Sequence, residues 1–176
     1  VEEGYPVGQF FMLKCNGIDE NGKFIMEDVN KDGQISDDDR TYVGDSQPDL
    51  TFGWNNTFTW KNWDASFFLR GQIGGKLLNN PRAAYGNNTY VAGANAMKGD
   101  DLMLLRENSR VSSYYLENAS FARLDNMSIG YTFNTKKIDW LDKARIYVAA
   151  QNLFVITSYS GLDPEVELFR GEASDT

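Results

Sequence analysis

Asp28, Asn30, Asp32, Gln34 and Asp39 occupy positions 1, 3, 5, 7 and 12 of "DVNKDGQISDDD", residues 28–39, with Gly33 at position 6. A hard cation such as calcium takes six or more oxygen donors, and this twelve-residue spacing lets one short loop supply them. Glycine at position 6 permits the sharp turn, and Gln34 is expected to offer its main-chain carbonyl. Ser36, at position 9, can ligate through a water, and Ile35 can pack inward. Asp39 stands where a longer glutamate is usual, with Asp38 as a substitute. A solvated acidic turn is the plainer alternative. No pair of amphipathic helices flanks the loop, so the spacing implies a structural calcium staple and not a switch.

Little else in the chain could do chemistry. Histidine is absent from all 176 residues, which removes the usual general base and every imidazole-dependent triad. Cys15 is the one cysteine, too few for a disulfide framework and more simply a packed side chain. Asp37, Asp38 and Asp39 could make a carboxylate pair, but metal ligands or solvated acids are simpler. No enzyme is read here. The net charge is −8, and residues 1–48 hold 11 acidic and 4 basic side chains. An acidic segment beside a nearly neutral remainder argues against nucleic acid as a partner. No run of about 18 apolar residues suggests a membrane helix, although membrane strands escape that test.

The elements that must carry the loop read as strands. In "LTFGWNNTFTW", residues 50–60, Leu50, Phe52, Trp54, Phe58 and Trp60 alternate with Thr51, Gly53, Asn55, Thr57 and Thr59. Period two over eleven residues is a strong strand signal. Lys61 and Asn62 form a tight turn, and Trp63, Ala65, Phe67 and Leu69 restart the pattern, predicting a hairpin with its second strand at 62–70. Residues 71–118 read as one long connection, in which "DDLMLLREN" (100–108) could be a short helix. A third strand is predicted over 119–133, beginning as early as Tyr114. Arg123 and Asp125 share its apolar parity, so its upstream end should be solvated or bulged. A fourth strand spans 144–157, with Ile146, Val148 and Ala150 facing outward and Asn152 fitting neither face. Tyr85, Tyr90, Tyr114 and Tyr115 could stack on sugars, loop packing being their commoner role.

Short turns at one end and long connections at the other describe a membrane β-barrel. Trp60 and Trp63 flank the first turn, Tyr131 and Phe133 precede the second, and Trp140 lies within it, as an interfacial girdle would. A secreted, soluble β-sandwich, such as a calcium-stapled carbohydrate-binding module, shares the alternation.

Three ordered stretches carry a resemblance: residues 28–79, from "DVNKDGQISDDD" through "TFGWNNTFTWKNWDASFFLRGQIGGKLLN"; "YYLENASFARLDNMSIGYTF"; and "ARIYVAAQNLFVITSYSGLDPEVE". In them the chain resembles SusC/RagA-type TonB-dependent outer-membrane receptors, in their C-terminal barrel region. The resemblance implies an all-β fold: about four antiparallel transmembrane strands of a barrel of about 22, the final strand lying beyond them. It implies extracellular placement for the long connections, with residues 1–48 an acidic loop holding the calcium loop and 49–176 barrel. It also implies a preceding plug that contacts TonB, a SusD-like surface lipoprotein partner, and glycan or peptide fragments as cargo.

Overall fold

A computed structural model of the chain describes residues 3–4, 6–86, 105, 111–135, 141 and 143–165. The elements in order are β1 (Gln9–Leu13), β2 (Cys15–Ile18), β3 (Phe24–Met26), a 3-10 turn at Asp37–Asp39, β4 (Arg40–Asp45), β5 (Leu50–Trp60), β6 (Trp63–Ile73), β7 (Lys76–Leu78), α1 (Asn80–Tyr85), a 3-10 turn at Ser113–Tyr115, β8 (Leu116–Asn118), β9 (Phe121–Phe133) and β10 (Ala144–Thr157). Two compact units result: Pro48–Gly74 with Ser120–Ser158, and a second assembled from Val1–Gln47, Gly75–Ala119 and Tyr159–Thr176.

The first unit is one antiparallel sheet in the order β10-β9-β6-β5. The alternating pattern of β5 and β6 folds back at Lys61–Asn62, with Trp60 directly opposite Trp63. Lys61 takes a φ of 55° to close that turn, and Asn62 donates through Nδ2 to the Thr132 carbonyl at 2.7 Å, tying the turn to β9. The register aligns the apolar parities across all four strands. Trp63 faces Tyr131, Ala65 faces Ile129 and Phe67 faces Met127, and beyond them lie Ile146, Val148 and Ala150. That face has no cover within the unit: Trp54, Phe58, Trp60, Ile146 and Val148 are each more than half exposed.

Two irregularities keep the faces pure. The β6–β9 register shifts between Phe68 and Leu69, stepping over Asp125. This bulge moves Leu124 to the apolar side, opposite Leu69, and turns Arg123 to the polar side, opposite Arg70. The bulge expected from the misplaced charges is therefore present. On β10 the register shifts between Gln151 and Phe154, and Asn152 sits there with φ 48°, a left-handed conformation that asparagine tolerates better than most residues. The extra residue keeps Phe154 and Ile156 in line with Ile146 and Val148.

The second unit is built from shorter pieces. β1 pairs with β4, β2 with β3 and β7 with β8, all antiparallel. Leu13, Leu105, Tyr115 and Ala119 are buried, and Phe24, Tyr114 and Tyr115 pack edge-on with centroids 5.1–6.1 Å apart. The structure corrects the sequence reading here. Residues 1–48 contain four strands, and the expected 71–118 connection contains the end of β6, then β7, α1 and β8. The third long strand begins at Phe121; the residues around Tyr114 form a 3-10 turn instead. Strands of three to six residues are too short for period two to register. The proposed helix at 100–108 lies outside the described residues except Leu105, as do Tyr90 and Trp140.

Candidate functional site

The acidic loop is folded by its own side chains. Asp28 accepts the Lys31 amide at 2.7 Å and the Gly33 amide at 2.9 Å. Asn30 accepts the Asp32 amide, and Asp32 accepts the Gln34 amide at 2.7 Å while receiving the Asn30 side-chain amide. Gly33 has φ 82°, which supplies the turn the spacing demanded. These acids and amides are the local Asx turns that compete with regular structure.

Asp39 has a different role from the other acids. It is fully buried, and its carboxylate accepts three amides: Val29 at 2.9 Å, Asn30 at 3.3 Å and Ser36 at 2.8 Å. Ser36 in turn caps the 3-10 turn, accepting the Asp38 amide at 3.1 Å. The Ser36 amide above all, with those of Asn30 and Val29, holds the Asp39 carboxyl below its ordinary value against the opposing effect of burial. Among the described residues, no three carboxylate, histidine or cysteine side chains gather into a cluster of the kind that holds a metal. The oxygens of Asp28, Asn30 and Asp32 each retain a lone pair beyond the amide they accept, so this donor set is chemically suited to a hard cation. The closing position, Asp39, is already committed to backbone donors.

A second polar centre in the same unit escaped sequence reading. Glu117 on β8 accepts Asn79 Nδ2 at 3.0 Å, Arg82 at 3.2 Å, the Ser160 hydroxyl at 2.7 Å and the Ser160 amide at 2.6 Å. Burial works to raise its pKa, and the Ser160 amide and hydroxyl, Asn79 and Arg82 outweigh it, leaving the carboxyl below its ordinary range. Tyr159 is pushed up by its own burial and by the Glu117 charge. Asn79, fully buried, also caps α1 by accepting the Arg82 amide at 3.0 Å. These partners lie 35–81 residues apart in the chain, so no local motif announces them. Tyr115 is buried and Tyr114 packs on it and on Arg82; of the described tyrosines proposed to stack on sugars, Tyr85 is the exposed one.

The polar side of the four-stranded sheet carries charge in pairs. Arg145 binds Asp64 through Nε at 3.0 Å and also through its terminal nitrogen. Arg70 binds Asp125 at 3.3 Å, and the Ser66 and Ser128 hydroxyls meet at 2.9 Å. Phe68, the one aromatic on this side of β6, lies over Gly53 of β5. Asp64 and Arg70 thus pair with other strands, not with each other.

No family model matches the chain. Individual proteins do. Over an alignment that covers 94% of its length it is 30% identical to TonB-dependent receptor P3 of Formosa agariphila. It is 32% identical, over an alignment that covers 93% of its length, to TonB-dependent receptor SusC of Bacteroides thetaiotaomicron. The fold superposes on the RagAB peptide importer in its closed-closed state with TM-score 0.76 and 27% identity over 93% of the chain. The open-open state gives 0.71 and 26%. The chain spans about a fifth of these proteins: 19% and 18% of the receptors, 21% and 20% of the importer chains.

Proposed function

Since the chain belongs to the SusC/RagA-type TonB-dependent receptors, outer-membrane proteins of bacteria, we propose that it builds part of the barrel wall and surface loops of a nutrient importer. The observation that carries this is the uncovered apolar face of the four-stranded sheet. Soluble proteins rarely expose contiguous apolar patches beyond a few hundred Å², whereas a barrel strand turns such a face to lipid and its polar face to the lumen. The secreted β-sandwich is not favoured, since a sandwich covers that face with a second sheet and the unit contains one.

The cargo we propose is glycan or peptide fragments, supported by similarity to a peptide importer and to SusC. The proposed partners are a SusD-like surface lipoprotein on the extracellular side and TonB, engaged through other parts of the receptor. Wall and loops of this segment would shape the lumen and meet cargo or partner, while TonB displaces a plug.

We also propose that Asp28, Asn30, Asp32, Gln34 and Asp39 hold a structural calcium, with Ser36 acting through water and Asp38 as an alternate acid. The Asx-turn arrangement supports this by presenting the first donors together. Asp39 must then exchange an amide for the ion.

Fractionating the source cells and blotting with an antibody against residues 72–118 tests the main reading. A band about five times the mass of this chain, confined to outer membranes, is expected. A soluble band near 19.9 kDa would refute it.

A further inference from the structure

The apolar face is not uniform along its length. Near the Lys61–Asn62 turn it contains a groove of about 440 Å³ with Ile129, Ile146 and Val148 along it and Trp63, Tyr131 and Phe133 as aromatic walls. Trp63 and Phe133 also wall a neighbouring cavity of about 530 Å³. Polar groups make up much of the lining of that second cavity, among them Lys61, Asn62, Thr132 and Lys143. Among its described lining residues the one carboxylate is Asp64, and Arg145 already holds that group. Two lysines therefore meet a single acid that is neutralised from elsewhere.

Lys61 is also held in place. Its backbone sits at φ 55°, where glycine or asparagine would be less strained. Its ammonium lies 4.8 Å from the centre of the Trp60 ring, at the aromatic end of the sheet. An aliphatic slot that shares aromatic walls with a cationic, hydrogen-bonding cavity has the shape and charge of an amphiphile with an anionic head. We propose that the paired cavities bind one anionic phospholipid, an acyl chain lying in the groove and the phosphate meeting Lys61 and Lys143. Tryptophan and lysine together at one level of a membrane protein are the groups that settle at lipid headgroups, and each lysine adds attraction for anionic lipid. The inference rests on the barrel-wall reading.

Native mass spectrometry of the full receptor in detergent tests it, with titrated phosphatidylglycerol, phosphatidylcholine or inorganic phosphate. One phosphatidylglycerol should be retained in preference to phosphatidylcholine, and millimolar phosphate should leave it in place. Lys61→Glu combined with Lys143→Glu should weaken retention by about tenfold or more; Ile129→Trp with Val148→Trp, which fills the groove, should weaken it as well. Equal retention by the charge-reversed receptor, equal retention of phosphatidylcholine, or displacement by phosphate overturns the site. If charge reversal prevents folding, Lys61→Gln with Lys143→Gln carries the same comparison. A receptor found soluble without detergent would instead refute the membrane reading, a separately visible result.

Discussion

Arg145 on β10 crosses over Gly130 of the intervening strand β9 to bind Asp64 on β6, Nε to Oδ1 at 3.0 Å. Gly130 makes the crossing possible, because a Cβ built there would collide with the guanidinium. Three strands are thus fastened on the polar face by one ion pair and one missing side chain. Gly130→Val should push the Arg145 guanidinium, the end of a flexible side chain, away from Asp64 and lower the unfolding midpoint by no more than the loss of a partly exposed ion pair. Thermal unfolding of the full receptor in detergent reads the change, and an unaltered midpoint would mean the pair does not depend on the glycine.

Met127 sits mid-strand on the apolar face, between Phe67 and Ala150. Met127→Arg should destabilise the receptor by about 2–4 kcal/mol in a bilayer, the cost of a cationic side chain at the midplane of a barrel's lipid face. At a water-exposed site the same change would stay within about 0.5 kcal/mol. Denaturant unfolding from vesicles separates the two.

In the acidic loop, Asp28→Ala with Asp32→Ala should abolish calcium uptake in a calorimetric titration of the receptor. Wild-type affinity is expected in the range of about 10⁻⁴–10⁻³ M known for extracellular modules. Binding that survives the double change removes these residues as ligands.

Asp39 and Glu117 both have folded pKa values below the ordinary 3.8 and 4.5. A carboxyl depressed by folding contributes stability that is present above its unfolded pKa and is lost as pH falls through the folded one. The loop unit should therefore hold at neutral pH and lose stability as pH falls below the ordinary carboxyl range, becoming sensitive to an acid-active protease there. Glu117→Gln should weaken the unit at every pH above the carboxyl range and raise the pH at which digestion begins, since the charged contacts of this carboxylate with Arg82 and with the Ser160 amide are lost. Digestion profiles across pH that match between the two proteins would contradict this.

Asn152, at φ 48°, should accept glycine with little effect. Asn152→Val should cost about 1–2 kcal/mol, because a branched side chain clashes in that conformation. A neutral valine substitution in the same unfolding assay would show that the bulge can shift.

By itself the sequence determined what rests on near neighbours. Period two drew β5, β6, β9 and β10, because side chains alternate faces whatever the strand pairs with. The Lys61–Asn62 turn followed from one pattern restarting at once, and Asp125 and Asn152 marked the bulges by breaking parity. The acidic loop was legible because its spacing is a property of twelve consecutive residues. Tertiary structure decided the rest. β1 to β4, β7 and β8 are too short to show a period and exist through pairing with segments as distant as Leu13 and Ser112. Nothing local in the sequence marks Glu117, and only folding brings Asn79, Arg82 and Ser160 to it. Asp39 is a metal ligand by position in the sequence; its burial and the three amides on its carboxylate became visible only in the fold. Asp64 and Arg70 share one face of β6, and folding bound them to Arg145 and Asp125 of other strands. Partners so far apart meet only when the chain closes on itself, and the order of residues alone does not say which will meet.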